Sequence, residues 1–396
     1  MKKKNKWIKL RHKIISSIAF LIIKPYTVLK YKTKIIPFKD NKRQYLILLN
    51  HQTAFDQFFV GIAFKKALYY LASEDLFSKG FISKLLSFAV APIPIKKQTT
   101  DIKAVKTCIR VAKEGGSIVI APEGNRTYDG KPVYMNPSIA SMAKMLKLPV
   151  ALFRIEGGYG VQPRWSDVVR KGNSKAYVSR VLEPEDYLEL SDDELFEIIK
   201  NELYVDEVLD CGEYKHKKQA EFLERLLYVC PFCKLSRFES KNDIIECKKC
   251  ERKVRHLPNK RLEGVGFDFP FNFVGEWYDY QCDYVRNLDA EDLKGVLFTD
   301  KANLREVIIY DRKKELCKNA SIELYADKIT INGEEYSFEK VSAVTVLGKN
   351  KLNIYIDDKL YQLKGDKRFN AIKYVNIFNC FKNTKKEFAY GKFLGL

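Results

Sequence analysis

Cys230, Cys233, Cys247 and Cys250 follow a C-x2-C-x13-C-x2-C spacing within CPFCKLSRFESKNDIIECKKC. No other feature restricts the chain as much. Each C-x2-C knuckle presents two thiolates to one ion, and four thiolates suit tetrahedral zinc. A closed site of this kind holds a small ribbon together and performs no chemistry, the alternatives being a redox pair or an iron centre. A chain of 396 residues is therefore expected to build a zinc ribbon at 229–257, with separate units on either side. Nine cysteines are an odd number, and metal rather than a disulfide framework implies a reducing compartment.

Before the ribbon, apolar runs alternate with helical spacing. YLILLN and ALYYLA read as buried strands, and Ile102, Val105, Ile109 and Ala112 recur at helical intervals up to Gly115-Gly116. SIVIAPEG is a strand entering a turn, SIASMAKMLK a helix and PVALFRI another strand. Ser191-x-x-Glu194 is a capping box that opens a further helix, and charged helical sequence is expected to continue to about Leu227. These elements predict an α/β domain over 44–228, a layered mixed sheet with helices whose chemistry lies on loops leaving strand ends.

The net charge of +20 is unevenly spread: residues 1–43 carry fourteen Lys or Arg against the single acid Asp40. Such a segment attracts polyanions. Its apolar run, Ile14 to Ile23, is about ten residues long, whereas a membrane-spanning helix needs roughly twenty. Residues 1–43 are thus expected to lie on a membrane surface carrying anionic lipids, with Trp7 and Tyr26 as interfacial anchors, making the protein peripheral on the cytoplasmic face. Specific nucleic-acid binding is not expected, because Glu239, Asp243, Glu246 and Glu251 offset the ribbon's lysines.

After the linker EGVGFDFPFNF the periodicity shortens. SIELYA, KITING, AVTVLG, LNIYID and LYQLKG read as strands with turn signals such as Asn332-Gly333, and RFNAIKYVNIFNCFK as a closing helix. Residues 268–396 are accordingly expected to form an antiparallel β domain closed by a helix, resembling pleckstrin-homology-like domains in arrangement.

Two short stretches carry chemistry. In NHQTAFD, His51 is followed five residues later by Asp56. On one continuous helix they would point about 140° apart, but they meet if His51 ends a strand and Asp56 opens the next helix. The carboxylate then fixes the imidazole tautomer and leaves the other nitrogen as a base. Such a dyad lacks its own nucleophile and suits a substrate hydroxyl. In APEGNRT, Gly124 permits close backbone approach and Arg126 offers a planar fork for phosphate, while Glu123 could orient the arginine or hold a hydroxyl.

Together these stretches resemble the glycerolipid acyltransferase family, typified by 1-acylglycerol-3-phosphate acyltransferases. NHQTAFD matches its Asn-His-x-Ser-x-x-Asp motif with Thr53 in the serine position, and APEGNRT matches Phe-Pro-Glu-Gly-Thr-Arg-Ser with Asn125 for threonine. VAPIPIKKQ offers Lys96 or Lys97 where the second block usually has arginine, and LPVALFRI looks like the fourth block. The likeness covers roughly residues 30–205. It implies that His51 is the general base with Asp56 orienting it, and that Glu123, Gly124, Arg126, Thr53 and Lys96 or Lys97 contact the substrate. It further implies transfer of a fatty acyl group from acyl-CoA or acyl carrier protein to a lysophospholipid hydroxyl, without a covalent intermediate. The alternative is an inactive membrane scaffold that recruits a partner through its ribbon and β domain.

Overall fold

The computed structural model describes residues 6–95, 101–208, 212–288, 294–308, 311–357 and 359–384. They divide into two compact units. The first comprises Met1–Val161, Lys171–Gly212 and Ile309–Asp311, and the second Gln162–Arg170, Glu213–Ile308 and Arg312–Leu396.

In the first unit, strands β1 (Lys34–Ile35), β2 (Leu46–Leu49), β3 (Leu68–Ser73), β4 (Ile93–Ile95), β5 (Ser117–Ile120), β6 (Val150–Glu156) and β7 (Lys175–Leu182) form one sheet. The order is β1-β7-β6-β2-β5-β3-β4. Neighbours run parallel except β6 and β7, which are antiparallel. The mixed α/β sheet expected from the sequence is present. All four residues of β2 are buried, as suits a central strand covered on both faces.

Helices α1 (Leu10–Tyr31), α2 (Asp56–Phe64), α3 (Phe81–Val90), α4 (Ile102–Lys113), α5 (Ser138–Leu146), α6 (Gly158–Val161), α7 (Pro184–Tyr187) and α8 (Asp192–Leu203) surround it. Leu46, Leu48, Ile118, Val150 and Leu152 pack in one core with Cys108 and Val111 of α4, Ala140 and Ala143 of α5, and Leu195 and Ile199 of α8. Caps fix where the helices begin: Asp101 Oδ1 accepts the Ala104 N–H at 3.0 Å, and Ser191 Oγ accepts that of Glu194 at 3.2 Å.

Two expectations are corrected. The helical sequence foreseen to Leu227 ends at Leu203. Beyond it Tyr204 turns extended, and Tyr214, Leu223, Leu226 and Tyr228 are buried within the second unit. The N-terminal apolar segment is longer than ten residues: α1 has 22, is long and apolar enough to cross a membrane by length and composition, and is 11% buried over its most apolar window. It continues through Pro25, where one backbone hydrogen bond is forfeited, because its inner face is held. His12, Thr27 and Tyr31 are buried, and the Tyr31 ring meets Phe55 and Phe59 at 4.7 and 5.8 Å. Trp7, expected at a lipid interface, is half-buried and donates its indole N–H to Ala91 O at 3.1 Å.

The second unit begins with the knuckle hairpin β8 (Val229–Cys230) and β9 (Lys234–Leu235) and an antiparallel sheet of β10 (Phe238–Lys241), β11 (Ile244–Cys247), β12 (Lys253–His256) and β13 (Leu262–Gly264). This ribbon thus extends past residue 257. Helix α9 (Val274–Arg286) follows. Strands β14 (Phe298–Val307), β15 (Lys313–Leu324), β16 (Lys328–Ile331), β17 (Glu334–Ser337), β18 (Val341–Leu347), β19 (Lys351–Ile356) and β20 (Lys359–Gly365) form a seven-stranded sheet, and α10 (Ile372–Thr384) packs on β18. Every pairing in it is antiparallel, as expected for a β domain closed by a helix. The segment Gln162–Arg170 is built into this unit: Arg164 donates to Val346 O at 2.9 Å, and Asp167 pairs with Arg225 at 2.7 Å.

Candidate active site and candidate metal centre

Parallel pairing of β2 with β5, Leu48 against Ile120, brings the two motifs together. Both strands end at the same edge, so NHQTAFD and APEGNRT leave as neighbouring loops. The loops are laced by backbone: Thr127 N–H donates to His51 O at 3.1 Å. On the other side Asn50 clamps β6, its Nδ2 donating to Ile155 O and its Oδ1 accepting from Ile155 N, both at 2.8 Å.

Between β2 and α2 the chain turns so that Asp56, first residue of α2, faces back onto His51. His51 Nδ1 lies 2.7 Å from Asp56 Oδ2. Asp56 is 1% exposed and also accepts Gln52 N–H at 2.7 Å, Thr53 N–H at 2.9 Å and Thr53 Oγ at 2.6 Å. These donors compensate a buried charge and point both carboxylate oxygens where they are needed. A carboxylate on Nδ1 favours the tautomer with its proton on that nitrogen, which directs the ring's lone pair to Nε2. The histidine side chain is 27% exposed. The other three histidines are otherwise engaged: His12 lies 3.4 Å from Tyr69 Oη, His216 Nδ1 accepts Lys218 N–H, and His256 is buried against Trp165.

Thr53 therefore faces Asp56. Glu123 also turns inward. Its Oε1 accepts the backbone N–H of His51 at 3.3 Å and its Oε2 that of Val133 at 3.2 Å. Burial pushes this carboxyl up to about 8 despite those two donors, and the charge of Asp56 adds to the rise. Gly124 adopts φ 64° in the turn, a conformation that costs a residue with a Cβ. Arg126 is half-buried on the same loop. Lys96 and Lys97 lie outside the described residues.

Sequence reasoning missed two groups. Gly158, opening α6, lies so close that an added Cβ would meet Gln52 Cβ at 2.7 Å and Thr53 Cγ2 at 3.2 Å. Glu207 accepts Gly157 N–H at 2.5 Å and donates its own N–H to Gly130 O at 2.9 Å. The GGYG run after β6 was the visible signal for the first; the second had none.

In the second unit the Sγ atoms of Cys230, Cys233, Cys247 and Cys250 all lie within 4.8 Å of one another. Cys230–Cys250 is 3.7 Å and Cys233–Cys247 is 3.4 Å. Two thiolates on one tetrahedral zinc stand about 3.8 Å apart for Zn–S bonds of about 2.3 Å, so these four fit that ion, and all four are free of disulfides.

Residues 30–155 match the family model described as Acyltransferase. That stretch is an acyltransferase-like domain. A 1-acyl-sn-glycerol-3-phosphate acyltransferase of Bacillus subtilis (strain 168) is 24% identical over 123 residues, which is 31% of this chain. The chain thus spans 58% of that relative's length. The crystal structure of the 1-acyl-sn-glycerophosphate (LPA) acyltransferase PlsC from Thermotoga maritima aligns with a TM-score of 0.38 at 18% identity, covering 48% of this chain and 74% of that one. The four-cysteine ribbon and the β domain lie outside the region of the family match.

Proposed function

We propose that this protein is an O-acyltransferase that moves a fatty acyl group from a thioester donor, acyl-CoA or acyl carrier protein, to the hydroxyl of a lysophospholipid. The acceptor assigned is 1-acylglycerol-3-phosphate, and the product phosphatidic acid. The observation carrying this reading is the 2.7 Å contact of His51 Nδ1 with the buried Asp56. It makes a base without a nucleophile of its own, and acyl transfer to an alcohol needs just that.

Nε2 of His51 takes the proton from the acceptor hydroxyl as its oxygen attacks the thioester carbonyl. The tetrahedral adduct expels the thiolate, and the imidazolium returns its proton to that sulfur. Asp56 stabilises the transient imidazolium and keeps the ring oriented. Arg126, with Lys96 or Lys97, is assigned to the acceptor phosphate as a charge-matched fork. Glu123 is assigned to holding the two loops rather than touching substrate, since both its oxygens are occupied by backbone donors.

The acceptor is a membrane lipid, and the first unit offers a surface for reaching it. Leu10, Ile14, Ile18, Leu21 and Leu29 of α1 and Phe81, Ile82, Leu85 and Phe88 of α3 are exposed, and the two helices are packed together. Arg11 links them by donating to Phe88 O at 2.9 Å. Apolar side chains interspersed with Lys9, Arg11, Lys13, Lys24 and Lys30 suit the boundary of an anionic bilayer. We assign the protein to the cytoplasmic membrane face, where reduced thiolates hold structural zinc.

The test is acyl transfer from a long-chain acyl-CoA to lysophosphatidic acid by purified protein beside His51→Ala. Product from the wild type alone supports the reading. Absence of product with each thioester donor and with several lysophospholipids overturns it in favour of the scaffold.

A further inference from the structure

A cavity of about 760 Å³ opens within the second unit, between the ribbon strand β10 and the meeting ends of β14 and β20. Its size falls in the range of small-molecule sites, roughly 300–1,000 Å³, but such sites are mostly apolar. This one is lined by charged groups, five cationic side chains against three carboxylates.

Two of the carboxylates are ion-paired, and the third accepts a backbone donor. Asp300 holds the buried Lys373 at 2.6 Å and accepts Tyr374 Oη at 2.6 Å. Glu224 holds Arg368, and Asp366 accepts the Arg368 backbone N–H at 2.8 Å. What stays open to a ligand is different in kind. Lys301 and Lys364 are exposed, and among the described residues neither has a carboxylate within ion-pair distance. Asn303 stands across from Lys364 in the β14–β20 register, and two residues from Lys301 it shares that strand face. Its Oδ1 is taken by Asn319 N–H at 3.0 Å, which leaves Nδ2 as a donor.

The free groups on this face are thus chiefly donors, and over the whole lining the cations exceed the carboxylates by two charges, five against three. An acceptor-only dianion matches both properties, and a phosphomonoester near neutral pH is one. We propose that this cavity binds a phosphomonoester, either as a soluble phosphate ester or as the headgroup of a phosphatidate-type lipid. The site is separate from the loops of His51 and Arg126, and the proposal does not depend on the catalytic reading.

The experiment uses the zinc-loaded 396-residue chain in two arms. In the first, labelled glycerol 3-phosphate is bound by equilibrium dialysis. In the second, phosphatidylcholine vesicles containing phosphatidic acid, or phosphatidylglycerol at matched charge, are floated with the protein. Lys301→Glu/Lys364→Glu and the milder Lys301→Ala/Lys364→Ala are compared with Lys314→Glu/Lys359→Glu, which reverses charge at the far ends of the same sheet, and with Arg126→Ala. We expect the Lys301/Lys364 pairs to lose about tenfold or more in affinity, the worth of one charge-assisted hydrogen bond, with unchanged melting temperature. Loss in the dialysis arm identifies a soluble ester, and selective loss with phosphatidic acid vesicles identifies a headgroup. Unchanged binding in both arms, or an equal loss in the Lys314/Lys359 pair, overturns the proposal. If Arg126→Ala alone abolishes binding, the ester occupies only the loop site and the cavity assignment fails while the catalytic one stands.

Discussion

Replacing Asp56 by Asn tests the dyad more sharply than removing the histidine, because shape is kept and only acceptor capacity changes. The carboxylate receives His51 Nδ1 and Gln52 N–H on Oδ2, and Thr53 N–H and Oγ on Oδ1. Asparagine has one acceptor oxygen and one amide that only donates. If the oxygen keeps Thr53, the amide faces two N–H donors; if it turns to His51, the amide faces Thr53. Either way two charge-assisted bonds are lost, each worth roughly 1.5–3 kcal/mol. The sum, about 3–6 kcal/mol, is divided between stability and the transition state. The imidazolium share alone, one bond of about 3 kcal/mol, corresponds to a loss of about 10²-fold in kcat. The assay is initial-rate acyl transfer to lysophosphatidic acid across pH, beside thermal unfolding. We expect kcat to fall by about 10² to 10⁴, KM to change little, and melting temperature to drop. A variant that keeps more than about a third of the wild-type rate while losing stability would refute the base assignment and leave Asp56 a structural cap.

Glu123→Gln removes a buried carboxyl whose folded value is raised to about 8 from an ordinary 4.5. The native state then holds its proton more tightly than the unfolded one, so wild-type stability should decline as pH rises from about 5 to 8. Urea titrations should show that decline flattened in the glutamine variant; an identical pH slope would contradict the assignment. Gly158→Ala should push the Gln52–Thr53 turn away and cut turnover at least about tenfold while costing on the order of 1–3 kcal/mol, read by kinetics and unfolding together; unchanged turnover would show that the turn yields freely. Cys230→Ser should lower the melting temperature and the zinc content measured by atomic emission, since ligand binding and folding are linked at such sites. Absence of zinc from native protein would remove the ribbon's metal assignment.

Local signals with a direct physical cause were legible. Ser191 caps the helix that its sequence announced, and the fully apolar LILL run became the central strand between two parallel neighbours. The meeting of His51 and Asp56 followed from a strand ending where a helix begins. What sequence spacing could not convey is which way a polar side chain turns once it is buried. Glu123 and Arg126 stand three residues apart beside a glycine, and that proximity suggested a shared ligand. In the fold Glu123 is 3% exposed and accepts the backbone N–H groups of His51 and Val133, contacts that spacing alone does not announce. The helix expected to run on to Leu227 stops at Leu203. The charges beyond it have a helical look, but Arg225 and Glu224 are buried at 4% exposure each and satisfied by distant partners, Asp167 and Arg368.

That same segment shows why the ribbon and the acyltransferase-like domain are hard to separate from sequence. Gln162–Arg170 follows directly on α6, whose first residue, Gly158, abuts the His51 turn, yet it belongs to the second unit. There Arg170 is 1% exposed and donates to Gln219 O at 2.6 Å, while Trp165 lies edge-on to His256 of the ribbon sheet at 5.8 Å. A buried guanidinium torn from its carbonyl partner costs several kcal/mol, so the strap leaves only with disruption of that core. The chain therefore enters the ribbon's unit, returns to finish its α/β sheet with β7, and re-enters. An appended module can be cut away at a linker, but one threaded through the sheet's own connection cannot, and expressing residues 44–228 alone should strip Trp165 of its contact with His256.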